Sequence, residues 1–321
     1  MNPLTGLYGT ATAVRNKLFD RGVLSSQRLQ QPVISVGNLT AGGSGKTPFV
    51  IALGELLQAR GIRFDVLSRG YRRKTRGVLV VDPYGTAADF GDEPLLIARR
   101  LGVPVVVGES RYEAGRFAEQ KFQPQLHILD DGFQHRSLAR DFEIVLMTER
   151  DFTDRLLPSG RLREPLSSLA RADAIVLPNG VASAGVTEGQ PALWQKPIWR
   201  IERQLVLANA PPAPIVFSGI ARPEQFFAQV RAAGIKPAAE VEFRDHYAYK
   251  QSDIERLLAM RAKFGAGGFL TTEKDAVNLL SSSSPADLSP LAIAMLNLTI
   301  DRPAELMDTI FATIHERKPR S

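Results

Sequence analysis

An α/β architecture built on a largely parallel sheet is the fold class this sequence predicts, on three observations. From Pro32 onward, short apolar and β-branched runs alternate with amphipathic helical segments. Several runs are apolar throughout rather than alternating, as for strands covered on both faces. One of them, residues 32–37, leads through a glycine-rich turn straight into a helical segment.

In order, strands are expected at 32–37, 63–67, 77–81, 103–107, 126–130, 142–147 and 173–177. Helices at 46–59, 93–101 and 111–121 occupy gaps between them. Near 178–212 the rhythm breaks: a Gly/Ser/Pro-rich stretch precedes an apolar–basic run that reads as strand, with room for a small antiparallel pair. A second α/β unit follows, with strands near 214–218, 239–243, 267–271 and 293–299. Its helices are expected near 223–233, 251–264, 273–280 and 303–317. The division is therefore an N-terminal segment 1–30, a first domain 31–180, a partly β linker 181–212 and a C-terminal domain 213–321. A chain of 321 residues is long enough for two such cores. By chain order Asp92 falls in the first domain and His246 in the second.

The formal net charge of +6 suits an anionic partner without choosing among nucleotide, nucleic acid and membrane phosphate. The absence of cysteine excludes disulfides, thiolate zinc sites, iron–sulfur clusters and a cysteine nucleophile. Four histidines are too few for a histidine-rich metal cage. No apolar run reaches the roughly 18 residues of a membrane span. In segment 1–30, Leu4, Leu7, Ala11, Val14 and Leu18 recur at helical spacing, with Arg15, Lys17, Arg21 and Arg28 against Asp20. A helix capping the core and an interfacial anchor on an anionic leaflet both fit that pattern.

The strongest chemical signal follows the first strand. Thr40-Ala41-Gly42-Gly43-Ser44-Gly45-Lys46-Thr47 joins it to a helix, the arrangement in which backbone N–H groups and a helix N-terminus converge on phosphate oxygens. Lys46 is placed to reach the β- and γ-phosphates and Thr47 to bind Mg²⁺. Thr40 stands where such loops usually open with glycine. The extra lysine of partitioning ATPases is replaced by Ala41, and the guanine-reading N-K-x-D string is not matched by Thr272-Glu273-Lys274-Asp275, so ATP is favoured.

An apolar strand ending in Asp130-Asp131-Gly132 supplies the acidic partner of such a loop. Side chains alternate along a strand, so only one acid faces a metal easily. Asp130 is the preferred ligand, with Asp131 orienting Lys46. Asp92, in Gly91-Asp92-Glu93-Pro94, reads either as a helix N-cap or as the base for an acceptor hydroxyl, with Glu93 as a metal ligand. The basic run 69–76 holds a single aromatic, Tyr71, which gives little support to nucleic-acid stacking. Arg111, Arg161 and Arg163 are candidates to stabilise phosphoryl charge, or surface ion-pair partners. His135 follows the paired acids and is placed in the site, whereas His127 and His315 read as structural.

Taken together, Gly37-Asn38-Leu39-Thr40, Gly42-Gly43-Ser44-Gly45-Lys46-Thr47-Pro48, Ser68-Arg69-Gly70-Tyr71, Gly91-Asp92-Glu93-Pro94, 130–136 and Asp245-His246-Tyr247 resemble the tetraacyldisaccharide 4'-kinase (lipid A 4'-kinase) family of Gram-negative bacteria. The resemblance implies a P-loop NTPase-like domain and a second, smaller α/β domain joined by a β-strand linker. It implies ATP-dependent phosphorylation of the 4'-hydroxyl of a tetraacylated glucosamine disaccharide 1-phosphate, a lipid A precursor. Asp92 is then the base and His246 its partner, with Thr47, Glu93 and Asp130 around Mg²⁺ and Arg111, His135 and Arg163 lining the site. Work on such an acceptor implies a peripheral place at the cytoplasmic face of the inner membrane, with segment 1–30 as the interfacial element and no nucleic-acid partner. A soluble small-metabolite kinase and a nucleic-acid-binding ATPase are the alternative readings.

Overall fold

The computed structural model describes residues 3–181, 196–280 and 285–317. In chain order the elements begin with α1 (Pro3–Asp20), β1 (Val33–Asn38), α2 (Lys46–Ala59), β2 (Phe64–Ser68), β3 (Leu79–Val80) and α3 (Ala87–Phe90). Next come α4 (Asp92–Leu101), β4 (Val105–Val107), α5 (Arg111–Phe122), β5 (Leu126–Asp130), β6 (Phe142–Leu146), β7 (Ala174–Pro178) and β8 (Ile198–Leu207). The remainder is β9 (Ile215–Ser218), α6 (Pro223–Ala232), β10 (Ala239–Glu242), α7 (Gln251–Phe264), β11 (Phe269–Thr272), α8 (Glu273–Leu280), β12 (Leu291–Ile300) and α9 (Pro303–Arg317). The sequence did not signal α3. Much of the expected linker, 182–195, lies outside the described residues.

Two compact units share these elements. One comprises Met1–Arg69, Val103–Glu202 and Thr299–Ser321, and the other Gly70–Gly102 and Arg203–Leu298. Segment 70–102, which chain order puts in the first domain, thus groups with the C-terminal residues, and α9 groups with the first unit. Asp92 and His246 therefore belong to one unit.

In the first unit the strand order is β8-β7-β6-β1-β5-β2-β4. Each of these pairings is parallel, including β7 with β8. All six residues of β1 are buried, including the polar Ser35 and Asn38, as for a strand covered on both faces. β1 lies between β5 and β6, where connections leave in opposite directions. The carboxyl end of a strand at such a point is where open α/β sheets bind ligands. Beneath the following loop, Leu39, Phe133, Val145, Met147, Leu162, Leu169 and Leu177 form one apolar cluster. A Cβ on Gly37 would stand 2.5 Å from that of Phe133, so this strand position has room only for glycine.

The second unit repeats the rule on a smaller scale, with the parallel order β10-β9-β11-β12. Phe217 on β9 packs edge-to-face against Phe243, Tyr249 and Phe269, contacts that hold β9 to the elements around it.

One polar group is built into the first core. The β2–β5 register sets Asp65 opposite His127, and their Oδ1 and Nδ1 atoms approach to 2.7 Å. Glu119 on α5 reaches the other ring nitrogen at 3.4 Å. Burial alone would push the imidazole down, but the two carboxylates raise it to about 9. A histidine raised above its unfolded value of 6.5 contributes stability that is complete below 6.5 and is lost as pH climbs through about 9. Wild type should therefore lose on the order of 2 kcal/mol more than His127→Gln between pH 6 and 9.5, read from melting temperatures at each pH.

Candidate active site

Two clusters carry the singled-out residues, one in each unit. In the first unit, the loop after β1 turns through Gly42 and Gly45, with φ of 110° and 89°. Gly45 caps α2 without any side-chain hydrogen bond, so the N–H groups of its first turn have no capping side chain. The loop is strapped to residues 161–163, as Ala41 N donates to Arg161 O at 2.8 Å and Arg163 N to Leu39 O at 2.7 Å. Thr40, Ser44 and Thr47 are buried, while Ala41, Gly42 and Gly43 are exposed. This is an anion cradle of the expected kind.

The two acids at the end of β5 point to different partners, though a left-handed turn at Asp131 rather than strand alternation sets the second direction. Asp130, buried, accepts from Ser68 Oγ at 3.0 Å. Asp131 adopts a left-handed conformation, φ 49°, and turns its carboxylate to the loop lysine. Its oxygens lie 3.4 Å from Lys46 Nζ and 3.0 Å from Arg163 Nη2. Burial would raise this carboxyl, but the two cations hold it far below the usual carboxylate range. Asn38 completes the network: its Oδ1 accepts from Lys46 at 3.2 Å and also from Arg163. The sequence placed Asn38 in a motif without giving it a role; a buried amide before a phosphate loop was the available signal.

Arg111 and His135 stand in the same unit. Arg111 is buried at the start of α5 and its Nη1 donates to Glu109 O at 2.9 Å. Its Nε has no partner among the described residues. Burial and the nearby Arg69 lower its pKa to about 10. The His135 ring is lowered to about 4 by burial and by Arg111, Arg140 and Arg69. Cations that depress one another in this way create a local excess of positive potential, which suits a multiply charged anion. Arg161, by contrast, pairs with Asp154 at 2.9 Å.

The donors fit Mg²⁺ in kind. Thr47 and Asp130 offer hard oxygens, and among the described residues no three His, Asp or Glu side chains gather to hold an ion unaided. A few protein oxygens completed by phosphate oxygens and water is the usual Mg²⁺ arrangement.

In the second unit Asp92 opens α4. Gly91 is its N-cap, φ 89°, and a Cβ there would press on Tyr71 O at 3.0 Å, so Asp92 itself is the first helical residue rather than the cap. Asp92 Oδ2 lies 2.7 Å from His246 Nδ1, and Asp92 Oδ1 accepts from Glu93 N at 3.0 Å. His246 is held in a left-handed conformation, φ 57°, with its N–H on Gly219 O at 3.1 Å and the Tyr71 ring edge-on at 5.5 Å. Lys274 Nζ is 3.8 Å from Asp92 Oδ2 and 3.5 Å from Glu93 Oε1. Burial would raise the Asp92 carboxyl, yet His246, Lys274 and Asn278 together hold it below its ordinary value. Asp92 is thus ionised, buried and aimed. Lys274 appeared in the sequence only as a mismatch to a guanine motif.

The His135 ring, lowered to about 4, should stay neutral from pH 5 to 8, and Arg111→Gln should raise its midpoint. Imidazole chemical shifts followed across that range check both.

Comparison with known proteins agrees with this geometry. Residues 1–315 match the family model described as Tetraacyldisaccharide-1-P 4'-kinase. The tetraacyldisaccharide 4'-kinase of Koribacter versatilis is 45% identical over 328 residues, covering 99% of this chain and 100% of that protein. The Aquifex aeolicus enzyme of the same name is 40% identical, covering 86% and 88%. A crystal structure of LpxK from Aquifex aeolicus in complex with ATP superposes with a TM-score of 0.76 at 35% identity, covering 97% of this chain and 98% of that one. A sheet whose phosphate loop, paired acids and carboxylate–histidine pair were already in place is therefore that of a member of the tetraacyldisaccharide-1-phosphate 4'-kinase family.

Proposed function

We propose that this kinase moves the ATP γ-phosphoryl group to the 4'-hydroxyl of a tetraacylated glucosamine disaccharide 1-phosphate, a lipid A precursor, with Asp92 taking the hydroxyl proton. The observation that carries the assignment is the 2.7 Å Asp92–His246 pair on a carboxylate held ionised. A weak base suffices, because in a loose phosphoryl-transfer transition state the hydroxyl loses its proton late. Positioning and charge neutralisation do the rest. Lys46 and the amides of 42–47 bind and orient the β- and γ-phosphates, while Arg111 and Arg163 face developing negative charge. Thr47 and Asp130 would hold Mg²⁺, which when bound neutralises phosphate charge. Asp131 keeps Lys46 and Arg163 aimed between turnovers.

Label transfer from γ-labelled ATP to the lipid acceptor tests these roles. Lys46→Ala should lower kcat/KM by roughly 10²-fold or more. Asp92→Ala and His246→Ala should each cost about 10²–10⁴-fold, and the double variant little more than the worse single one. Fully multiplicative losses would show that the two residues act independently.

We also propose that the enzyme works peripherally at the cytoplasmic face of the inner membrane through α1. Among the described residues no helix is long and apolar enough to span a bilayer. α1 instead turns its polar side to the protein: Tyr8 OH donates to Arg163 O at 3.0 Å, and Asn16 Nδ2 to Glu164 at 2.8 Å. Leu4, Leu7 and Val14 face outward, 59%, 69% and 51% exposed. Such an inverted helix favours the interfacial reading over the core cap. Arg15 and Arg28 are paired with Glu164 and Asp141, so Lys17 and Arg21 supply the attraction to anionic lipid, on the order of 2 kcal/mol. Leu7→Ser with Val14→Ser should weaken sedimentation with anionic liposomes by roughly 10-fold or more, with the melting temperature nearly unchanged. Intact binding together with a sharp fall in melting temperature would make α1 a core helix.

A further inference from the structure

We infer that Asn38 and Thr40 are a positioning pair for the phosphate loop: the Asn38 amide oxygen aims Lys46 and Arg163 without adding charge, and the Thr40 hydroxyl keeps that amide facing them. This rests on the reading of Lys46 as a phosphate ligand. It goes beyond it by giving a role to the residue that stands where such loops usually open with glycine.

All the groups involved lie in the first unit. Asn38 closes β1 and is fully buried. Its Oδ1 accepts from Lys46 Nζ at 3.2 Å and from Arg163 Nη2, which also reaches the Asn38 backbone oxygen at 3.5 Å. Neither cation can accept a hydrogen bond, so only the oxygen end of the amide can face them. The Nδ2 end is then turned away from the cations, where a buried N–H needs an acceptor. Thr40 Oγ1 supplies it at 3.3 Å. A glycine at position 40 has no side-chain oxygen to offer. Thr40 is itself held in place: it is buried and bridges to Leu162, between the bonds from Ala41 N to Arg161 O and from Arg163 N to Leu39 O. The residue that orients the amide and the strap that carries Arg163 thus belong to one short antiparallel contact.

Charge explains why the acceptor is an amide. Lys46 and Arg163 already share the Asp131 carboxylate, at 3.4 and 3.0 Å, so two positive charges stand against one negative. The charge left over is what draws a phosphate. A carboxylate at position 38 would cancel it, and would hold both cations more firmly than a neutral oxygen does. Asp131 and Asn38 therefore divide the work, one compensating charge and the other setting direction.

The test assays the full-length protein with ATP and the lipid acceptor, with melting temperatures measured alongside. Thr40→Val keeps the shape and removes the hydroxyl. Its kcat should fall about 10-fold with KM for ATP within about threefold, because small misplacements of charged groups cost rate. Thr40→Gly, which restores the ordinary loop residue, should lose at least as much, and Thr40→Ser should recover most of the loss. Asn38→Ala should lower kcat about 10–10²-fold. Asn38→Asp should split the other way, raising KM for ATP roughly 10-fold or more, by a factor that shrinks as salt is raised. Wild-type kcat in Thr40→Val or Thr40→Gly overturns the inference, and so does an unchanged KM for ATP in Asn38→Asp. If the Asn38 variants do not fold, the Thr40 series decides alone. Wild-type kcat/KM in Lys46→Ala would instead overturn the loop assignment on which the inference stands.

Discussion

One carboxylate, Asp131, holds two cations at the phosphate loop, and the shape of that end of the first unit depends on it. Lys46 and Arg163 come from different segments and, brought to the same carboxylate in a largely buried place, would repel each other without it. The shared Asp131, with the Asn38 amide oxygen beside it, turns that repulsion into a network. The backbone bonds between 39–41 and 161–163 make the arrangement stiff. The two cations are thus oriented in advance, the preorganisation that keeps reorganisation small in a site for charged groups.

The second unit solves a harder problem, a carboxylate that is both buried and held ionised. Two of its buried aspartates show the alternatives. Asp275 receives four hydrogen bonds from neutral donors, yet burial still raises its pKa; it organises backbone and helix. Asp92 has fewer hydrogen bonds but an ammonium nearby, and the net effect is downward. The hydrogen bond from His246, backed by the charge of Lys274, separates Asp92 from Asp275, whose donors are all neutral.

Much of this was legible in the sequence, for physical reasons. Strands buried on both faces announce themselves as mostly apolar, β-branched runs without alternation, and β1, β5 and β6 sit where those runs predicted. A phosphate loop needs a glycine pattern that few other structures need, so Lys46 and Thr47 were readable by themselves. Contacts far apart in the chain were not. The grouping of 70–102 with 203–298 follows from packing rather than local pattern, and it brings Asp92 to His246 within one unit. Lys274 gave no local sign because Asp92, Glu93 and Asp245, the carboxylates it meets, are distant in the chain. α3 is a single turn, too short for periodicity to register.

The inverted packing of α1 has a practical consequence. Glu164 is wholly buried, and its carboxylate is shared among Arg15, Asn16 and Arg171. Two of those three partners are lent by the helix that also presents its leucines outward. Cutting the helix away to make the enzyme easier to handle would strip an internal anion of most of its support, one residue from Arg163. Polar side chains on the outer stripe, by contrast, would leave every one of those inner contacts in place.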